Sequence, residues 1–471
     1  MSRLSTLAFL VAAMGAAATA SPAGDQVELR GALESAWQQP VEGARRLHGR
    51  LAATETSLTT LLVQTKKQAA ALDLSGELRW RTRAHRSVEA VEVLDDLLIL
   101  RAGKFGVEAI DLETGKVRWA HQSISRIWRS TQHAGQWIFL NAEHQIGALS
   151  LEDGSLSWKT ALAERKRGRA RLAYLVPLPE SEDILLVEAA RLSRLGARDG
   201  ERSWSIHLPA AGRAGAYVSA ERVILPAGRS LVAYRLEDGQ CVWGHDLGAS
   251  SYYVTISEEA GVAVAATRAD RLVGIDLRTG ERLWEARLSV GHRRVVPGPE
   301  RIKEGDLVYI EAARAQVRQR RGWKQIDGPP LLTSGGMVYC VSSGYAILAY
   351  DLRNGRQRWR LPLRSSATGL HLMGGALCTG SFRQPAVCVD AASGKMIWSN
   401  SFGPAQIRQL EPGLLLAWNG WRIRLVEVMS SRILAEAMLS REARDLLALP
   451  QEGLLVAALP DLVLALRWER P

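Results

Sequence analysis

The sequence predicts an all-β fold, a single closed β-propeller of four-stranded antiparallel blades. Three observations predict it. A strand–turn–strand phrase ending in tryptophan recurs at a nearly constant interval. Each recurrence leaves room upstream for further strands. The two ends of the chain carry complementary fragments of one unit.

The clearest phrase runs from Gly274 to Trp284. Ile275 and Leu277 alternate with polar neighbours, the period of a strand with one buried face. Thr279 and Gly280 supply the turn, because glycine accepts positive φ at no steric cost. Trp284 follows four residues later and brings a large flat apolar area to the second strand. The same glycine–tryptophan pair recurs as Gly115 with Trp119, Gly154 with Trp158, Gly200 with Trp204, and Gly239 with Trp243. Gly280 with Trp284, Gly355 with Trp359 and Gly394 with Trp398 continue the series, and Gly76 with Trp80 is a shortened copy. A weak copy keeps only Gly322 and Trp323, and another, over 427–435, has lost both residues. The marker tryptophans are spaced 39, 39, 46, 39, 41, 39, 36 and 39 residues apart. A fixed period of this size means a repeat architecture, since units so short cannot bury an apolar face alone.

At the N-terminus, Arg3 precedes an apolar run from Leu4 to Ala18, and Ala18-Thr19-Ala20 forms a small-residue exit. The expectation is a secretory signal peptide over residues 1–20. Export to the periplasm, to the outer-membrane region or to the medium follows. No cysteine stands at the exit to carry a lipid. No uninterrupted apolar run of membrane-spanning length occurs beyond it, so no transmembrane helix is expected in the mature chain.

Residues 24–71 lack the phrase and read as a short helical segment. Leu29, Leu33 and Trp37 recur every four residues, Pro40 interrupts, and Val41, Ala44, Leu47 and Leu51 form a second face. Leu58, Leu61, Leu62, Thr65 and Ala69 form a third. These helices are expected to pack on the body of the protein.

Residues 72–471 carry the repeats. In one unit, strands over 88–94, 97–101 and 107–112 precede the strand around Trp119; in another, 252–256, 262–266 and 272–277 precede Trp284. Four strands per unit of about 40 residues favour radial closure over a solenoid. Stretches 454–459 and 462–468 supply inner strands with no outer strand after them, and 76–81 is an outer strand with none before it. Joined, they seal the ring and remove its exposed edges. The count is ten units, two of them poor matches, which sets a range of eight to ten blades.

The repeated A-x-D-x-x-T-G-x-x-x-W pattern resembles the pyrroloquinoline-quinone (PQQ) type propeller repeat. The resemblance implies that each tryptophan docks against the neighbouring blade. That family holds quinoprotein dehydrogenases and non-enzymatic relatives such as the outer-membrane-protein assembly factor, both usually eight-bladed. The dehydrogenases are similar to one another in a disulfide between adjacent cysteines over the cofactor and in a carboxylate–asparagine calcium site. This chain has neither adjacent cysteines nor a C-x-x-C-H haem motif. Its phrase aspartates sit at turns, where backbone donors account for them. The resemblance is therefore closer to the assembly-factor branch, which implies no enzyme, no cofactor and no metal, with envelope proteins held through the propeller loops. A PQQ-dependent oxidoreductase is the enzymatic alternative.

Three further features are candidate sites. Arg165, Lys166, Arg167, Arg169 and Arg171 form a basic loop in the unit with the longest spacing, and Arg318, Arg320 and Arg321 replace the usual turn near Trp323. Both suit an acidic glycan or lipid; export argues against nucleic acid. The net charge of +11, carried by 51 Arg and 9 Lys among the 60 basic residues, agrees with either these loops or a generally solvated basic surface. Trp418 and Trp421 flank a turn, either as binding aromatics or as staples of a hairpin end. Of the four cysteines, Cys378 and Cys388 sit symmetrically about an expected hairpin, as a disulfide or as two buried thiols.

Overall fold

The computed structural model describes residues 28–468 outside 32, 43, 52–57, 84–86, 95, 103–105, 123, 163–172, 189, 211–215, 220, 289–306, 312–313, 320–321, 328–330, 343–345, 364–368, 381–385 and 401–405. Eleven antiparallel sheets make up the described chain. Ten are blades: 46–81, 88–121, 127–161, 174–207, 217–246, 251–287, 331–362, 371–400, 406–438, and a tenth from 445–468 completed by Leu33–Pro40. Ten apolar clusters hold them, each drawing residues from two successive blades. Leu62, Trp80, Leu98 and Ile110 join blades 1 and 2. Val63, Leu72, Leu454 and Val456 join blades 1 and 10. Ten junctions for ten blades make a closed ring.

Within a blade the second and third strands are buried almost throughout, as in Val262–Thr267 and Arg271–Asp276. The fourth strand is mostly exposed and buries its tryptophan, as in Arg282–Arg287. The ladder between third and fourth strands carries the same irregularity in every blade. In blade 6, Gly274 faces Trp284 and Ile275 faces Arg282, so Leu283 is an extra residue. A bulge re-aims the side chain beside it, and here it turns the indole toward the next blade. The bulge survives where Ala435 stands in place of tryptophan.

Among the described residues the expected N-terminal helices are not formed. Among the described residues of 24–71 the chain is strand: Glu28–Gly31, Leu33–Pro40, Arg46–Leu51, Leu58–Gln64 and Ala69–Leu72. Propeller closure overrides the four-residue spacing, because each of these strands completes a ladder whose partner would otherwise be an open edge. Leu33–Pro40 pairs with Leu462–Trp468, and Trp37 has the bulge that marks every fourth strand. Glu28–Gly31 adds a fifth strand outside Ile433–Met438. The strand that seals the ring is thus the one bearing Trp37. The strand bearing Trp80, expected in that role, is the fourth strand of blade 1, paired with Ala69–Leu72.

The Gly322–Trp323 copy is not a blade. Its three-stranded sheet, Leu307–Glu311, Arg314–Gln319 and Gly322–Asp327, lies outside the ring, and blade 6 packs directly on blade 7 through Trp284, Leu331 and Leu352. Ten blades is therefore right, with one counted unit removed and one uncounted unit added.

Candidate functional site

Each marker indole docks on the next blade in the same way. Its Nε1–H donates to the carbonyl three residues before the turn glycine (two in the Trp37 copy), and its ring lies on that glycine. Trp80 donates to Leu112, Trp119 to Leu151, Trp158 to Ala197 and Trp204 to Leu236, at 2.8 to 2.9 Å. Trp243 donates to Leu277, Trp284 to Leu352 and Trp359 to Ala391 over the same range. Trp37, unread as a marker in the sequence, donates to Leu74 at 2.7 Å and lies on Gly76. A Cβ on Gly115, Gly154, Gly200, Gly280, Gly355 or Gly394 would come within 2.6 Å of an indole carbon, and on Gly239 within 2.9 Å. These positions therefore need glycine twice over, for contact and for positive φ. Trp398 donates to Val428, but the turn residue there is Ser431, at φ +58°.

The turn aspartates are held by their own turns. Asp276 accepts the amides of Arg278 and Thr279 at 2.8 Å, and the Thr279 amide first among these partners keeps its carboxyl below the usual range. Arg118, bonded to Asp111 at 2.5 Å, holds that carboxyl down to about 2.

The meander divides the ring into two faces. Turns between first and second strands and between third and fourth strands lie on one face, the turn face. Turns between second and third strands lie on the other, with the links from blade to blade. Both basic loops belong to blade-to-blade links, after blades 3 and 6. Arg165, Lys166, Arg167, Arg169, Arg171, Arg320 and Arg321 lie outside the described residues, and Arg318 is in the strand Arg314–Gln319. Trp418 and Trp421 flank a second-to-third-strand turn of blade 9, capped by the Asn419 side chain on the Trp421 and Arg422 amides. Trp418 packs on the blade 9–10 cluster, while Trp421 is 50% exposed. Cys378 and Cys388 are bonded across the two middle strands of blade 8, buried toward blade 9.

A cleft of about 690 Å³ opens on the turn face between blades 4 and 5. Its walls are the first turns of the two blades, around Leu178–Ser181 and Val218–Arg222, and the turn Arg235–Glu237. Leu178 and Leu236 are buried beneath it, and Val242 is 43% exposed at its edge. Three guanidinium groups line it together with three exposed glutamates, Glu180, Glu221 and Glu237, of which Glu221 lies 3.8 Å from Arg222. Arg194 pairs with Asp183 at 2.6 Å and donates to the Leu236 carbonyl at 2.9 Å, the acceptor Trp204 also uses. Arg222 donates to the Leu277 carbonyl at 3.1 Å, shared with Trp243, and Arg235 donates to Asp238 at 2.9 Å. A guanidinium has five N–H donors in a planar fork, and each of these is fixed by part of its donor set. Beside Val218, burial first and then Glu258 push the Tyr217 hydroxyl up to about 12, so it stays a protonated donor. Sequence reasoning missed this site. Gly196 and Arg235 stand where four of the turns carry the first aspartate, but Ser150 and Glu427 depart there too, so the departure alone does not mark the cleft.

Residues 34–179, 142–310 and 302–401 match a family model described as outer membrane protein assembly factor BamB, of the PQQ-like repeat. The chain belongs to the PQQ-like β-propeller family. No curated protein sequence matches it. Among solved structures it is similar to BamB from Moraxella catarrhalis, at 15% identity and a TM-score of 0.42, covering 72% of this chain and 96% of that one. It is also similar to the computationally designed Ika8 protein, at 14% identity and a TM-score of 0.41, covering 75% and 98%.

The family's quinone cofactor and its calcium do not fit the residues described. The disulfide joins residues ten apart inside a blade junction, so it forms no adjacent-cysteine platform. The phrase carboxylates are saturated by turn amides, hydroxyls and arginines. Among the described residues no three His, Cys, Asp or Glu side chains converge as metal ligands.

Proposed function

We propose that this protein is an exported, non-catalytic propeller that acts as a protein-interaction scaffold in the cell envelope. The observation that carries the reading is the cleft between blades 4 and 5. It combines a buried apolar floor, an exposed Val242, three arginines oriented by carbonyls and carboxylates of the ring itself, and three exposed glutamates, Glu180, Glu221 and Glu237. Such a surface suits a protein loop presenting an apolar residue flanked by charged groups of both signs, since guanidinium donors bind carboxylates in a planar fork and the glutamates accept from cationic side chains. Family membership supports the same reading, since the matching model is described as an envelope assembly factor. The signal-peptide reading of residues 1–20 supports a periplasmic address.

A photo-crosslinking amino acid at Val242, used in the native envelope, tests the proposal. The expected result is a discrete protein adduct that is lost in Arg222→Ala. Absence of any protein adduct in the parent overturns the cleft as an interface. Saturable binding of PQQ with calcium, coupled to dye reduction by an alcohol or sugar, overturns the non-catalytic reading in favour of an oxidoreductase.

A further inference from the structure

The face opposite the cleft carries a second surface, at the seam where the two chain ends meet. Four cations stand together at one corner of blade 1. Arg45 and Arg46 lead into its first strand, and Lys66 and Lys67 form the turn between its second and third strands. The Arg45 amide donates to the Gln64 carbonyl at 2.8 Å, which brings the two pairs side by side. All four are exposed, and among the described residues none makes an ion pair.

The corner continues along the rim. Arg444, exposed, donates to the Ala44 carbonyl at 3.1 Å, linking blade 10 to this corner. The Ala443 amide donates to Gly420, and the Leu439 amide to Trp421, each at 2.7 Å, which joins the half-exposed indole of blade 9 to the same band. The nearby carboxylates are partly engaged: Asp461 with Arg441, and Asp445 with the amides of Leu47 and Leu446. Glu42 and Glu442 are exposed. The turn face differs. There Arg118 is paired with Asp96 and Asp111, Arg358 with Asp351, and Arg198 with Glu182.

We propose that this seam band docks on the headgroup surface of an anionic phospholipid bilayer. Basic residues that lack intramolecular partners gain most from a surface of fixed phosphates. An indole half in water on the same face, as Trp421 is, is the side chain that settles at headgroup level. The cations stand at the start of the first strand and on the turn beside it, all exposed, which matches a broad charged plane. This surface and its partner are independent of the cleft and of the scaffold reading.

Co-sedimentation of the full chain with vesicles of phosphatidylglycerol and phosphatidylcholine tests the proposal. Binding is expected to weaken with salt and to vanish on phosphatidylcholine alone. Neutralising Arg45, Arg46, Lys66 and Lys67 together as Gln is expected to lower the partition coefficient about six-hundredfold, at about fivefold per basic residue. These side chains are exposed, and an unchanged melting curve verifies that the variant folds. Neutralising Arg353 and Arg356 on the turn face is expected to leave partitioning intact. Equal binding to neutral vesicles, undiminished binding by the fourfold variant, or equal loss with the turn-face variant would each overturn the proposal. Retention on polyglutamate beads without retention on anionic vesicles would overturn it in favour of an acidic protein.

Discussion

Trp37 and Trp323 exchange the roles that repeat spacing assigns them, and the exchange sets a sharp prediction. Trp323 sits 39 residues after Trp284, the commonest interval, whereas Trp37 lies in a stretch with helical spacing. In the fold, Trp37 closes the ring. Its indole donates to Leu74 at 2.7 Å, its ring covers Gly76, and its strand pairs with Leu462–Trp468. Truncating a buried tryptophan to alanine costs about 3–5 kcal/mol. Trp37 is only partly buried, so the low end applies, about 3 kcal/mol with the lost hydrogen bond included. The loss falls on the seam, where the N-terminal strand is held by one neighbour in its blade. Seam opening should therefore rise about a hundredfold in Trp37→Ala, at about 1.4 kcal/mol per decade. Native-state proteolysis reads this directly when closing outpaces cleavage, with fragments cut between the Leu33–Pro40 strand and blade 1. Trp323→Ala, in a sheet outside the ring, should change global stability by less than about 0.5 kcal/mol. Equal proteolysis of Trp37→Ala and parent, or a comparable loss in Trp323→Ala, would refute the closure assigned to the N-terminal strand.

Three further outcomes follow from the docking geometry. Gly280→Ala places a Cβ 2.6 Å from the Trp243 ring at φ +75° and should lower stability by about 2 kcal/mol or more, read as a shift in urea midpoint. Ser431→Gly relieves a serine at φ +58° and should raise stability by up to about 1 kcal/mol, the left-handed strain less the entropy glycine adds to the unfolded chain; a lowered midpoint would count against the strain. The carboxyls of Asp111, Asp351 and Asp390 are held below the ordinary range chiefly by Arg118, Arg358 and the Ser393 hydroxyl. A depressed folded pKa contributes stability above the unfolded value near 3.9 and loses it as pH falls toward the folded value. Stability should therefore fall between about pH 4 and pH 2, and Asp111→Asn should flatten that slope by about one proton; an unchanged slope would show that Asp111 titrates normally.

Strands, turns and wedges were legible because they repeat. A glycine four places before a tryptophan encodes both a turn and a contact, and eight repetitions of a local signal outweigh any single ambiguity. The residues that were not legible are those whose structure depends on something distant. Leu29, Leu33 and Trp37 have helical spacing, yet an edge strand at the end of blade 10 lacks a partner until Leu33–Pro40 reaches it, a pairing across more than 400 positions that no local pattern carries. Gly322 and Trp323 fail in the opposite sense. They keep the local words of the phrase while Trp284 already spans to Leu352, so no junction remains for that unit to fill. The tenth junction shows the rule at its limit. Ala435 keeps the bulge without the indole, and Trp468, buried in the same cluster with Leu33, supplies the bulk from the opposite blade. What is preserved from blade to blade is therefore a filled junction, and the phrase is only its commonest means. The cleft follows from the same logic. At blades 4 and 5, Arg194 and Arg222 share the Leu236 and Leu277 carbonyls that the indoles use, so the same acceptor that seats the wedge also anchors a charge at the surface.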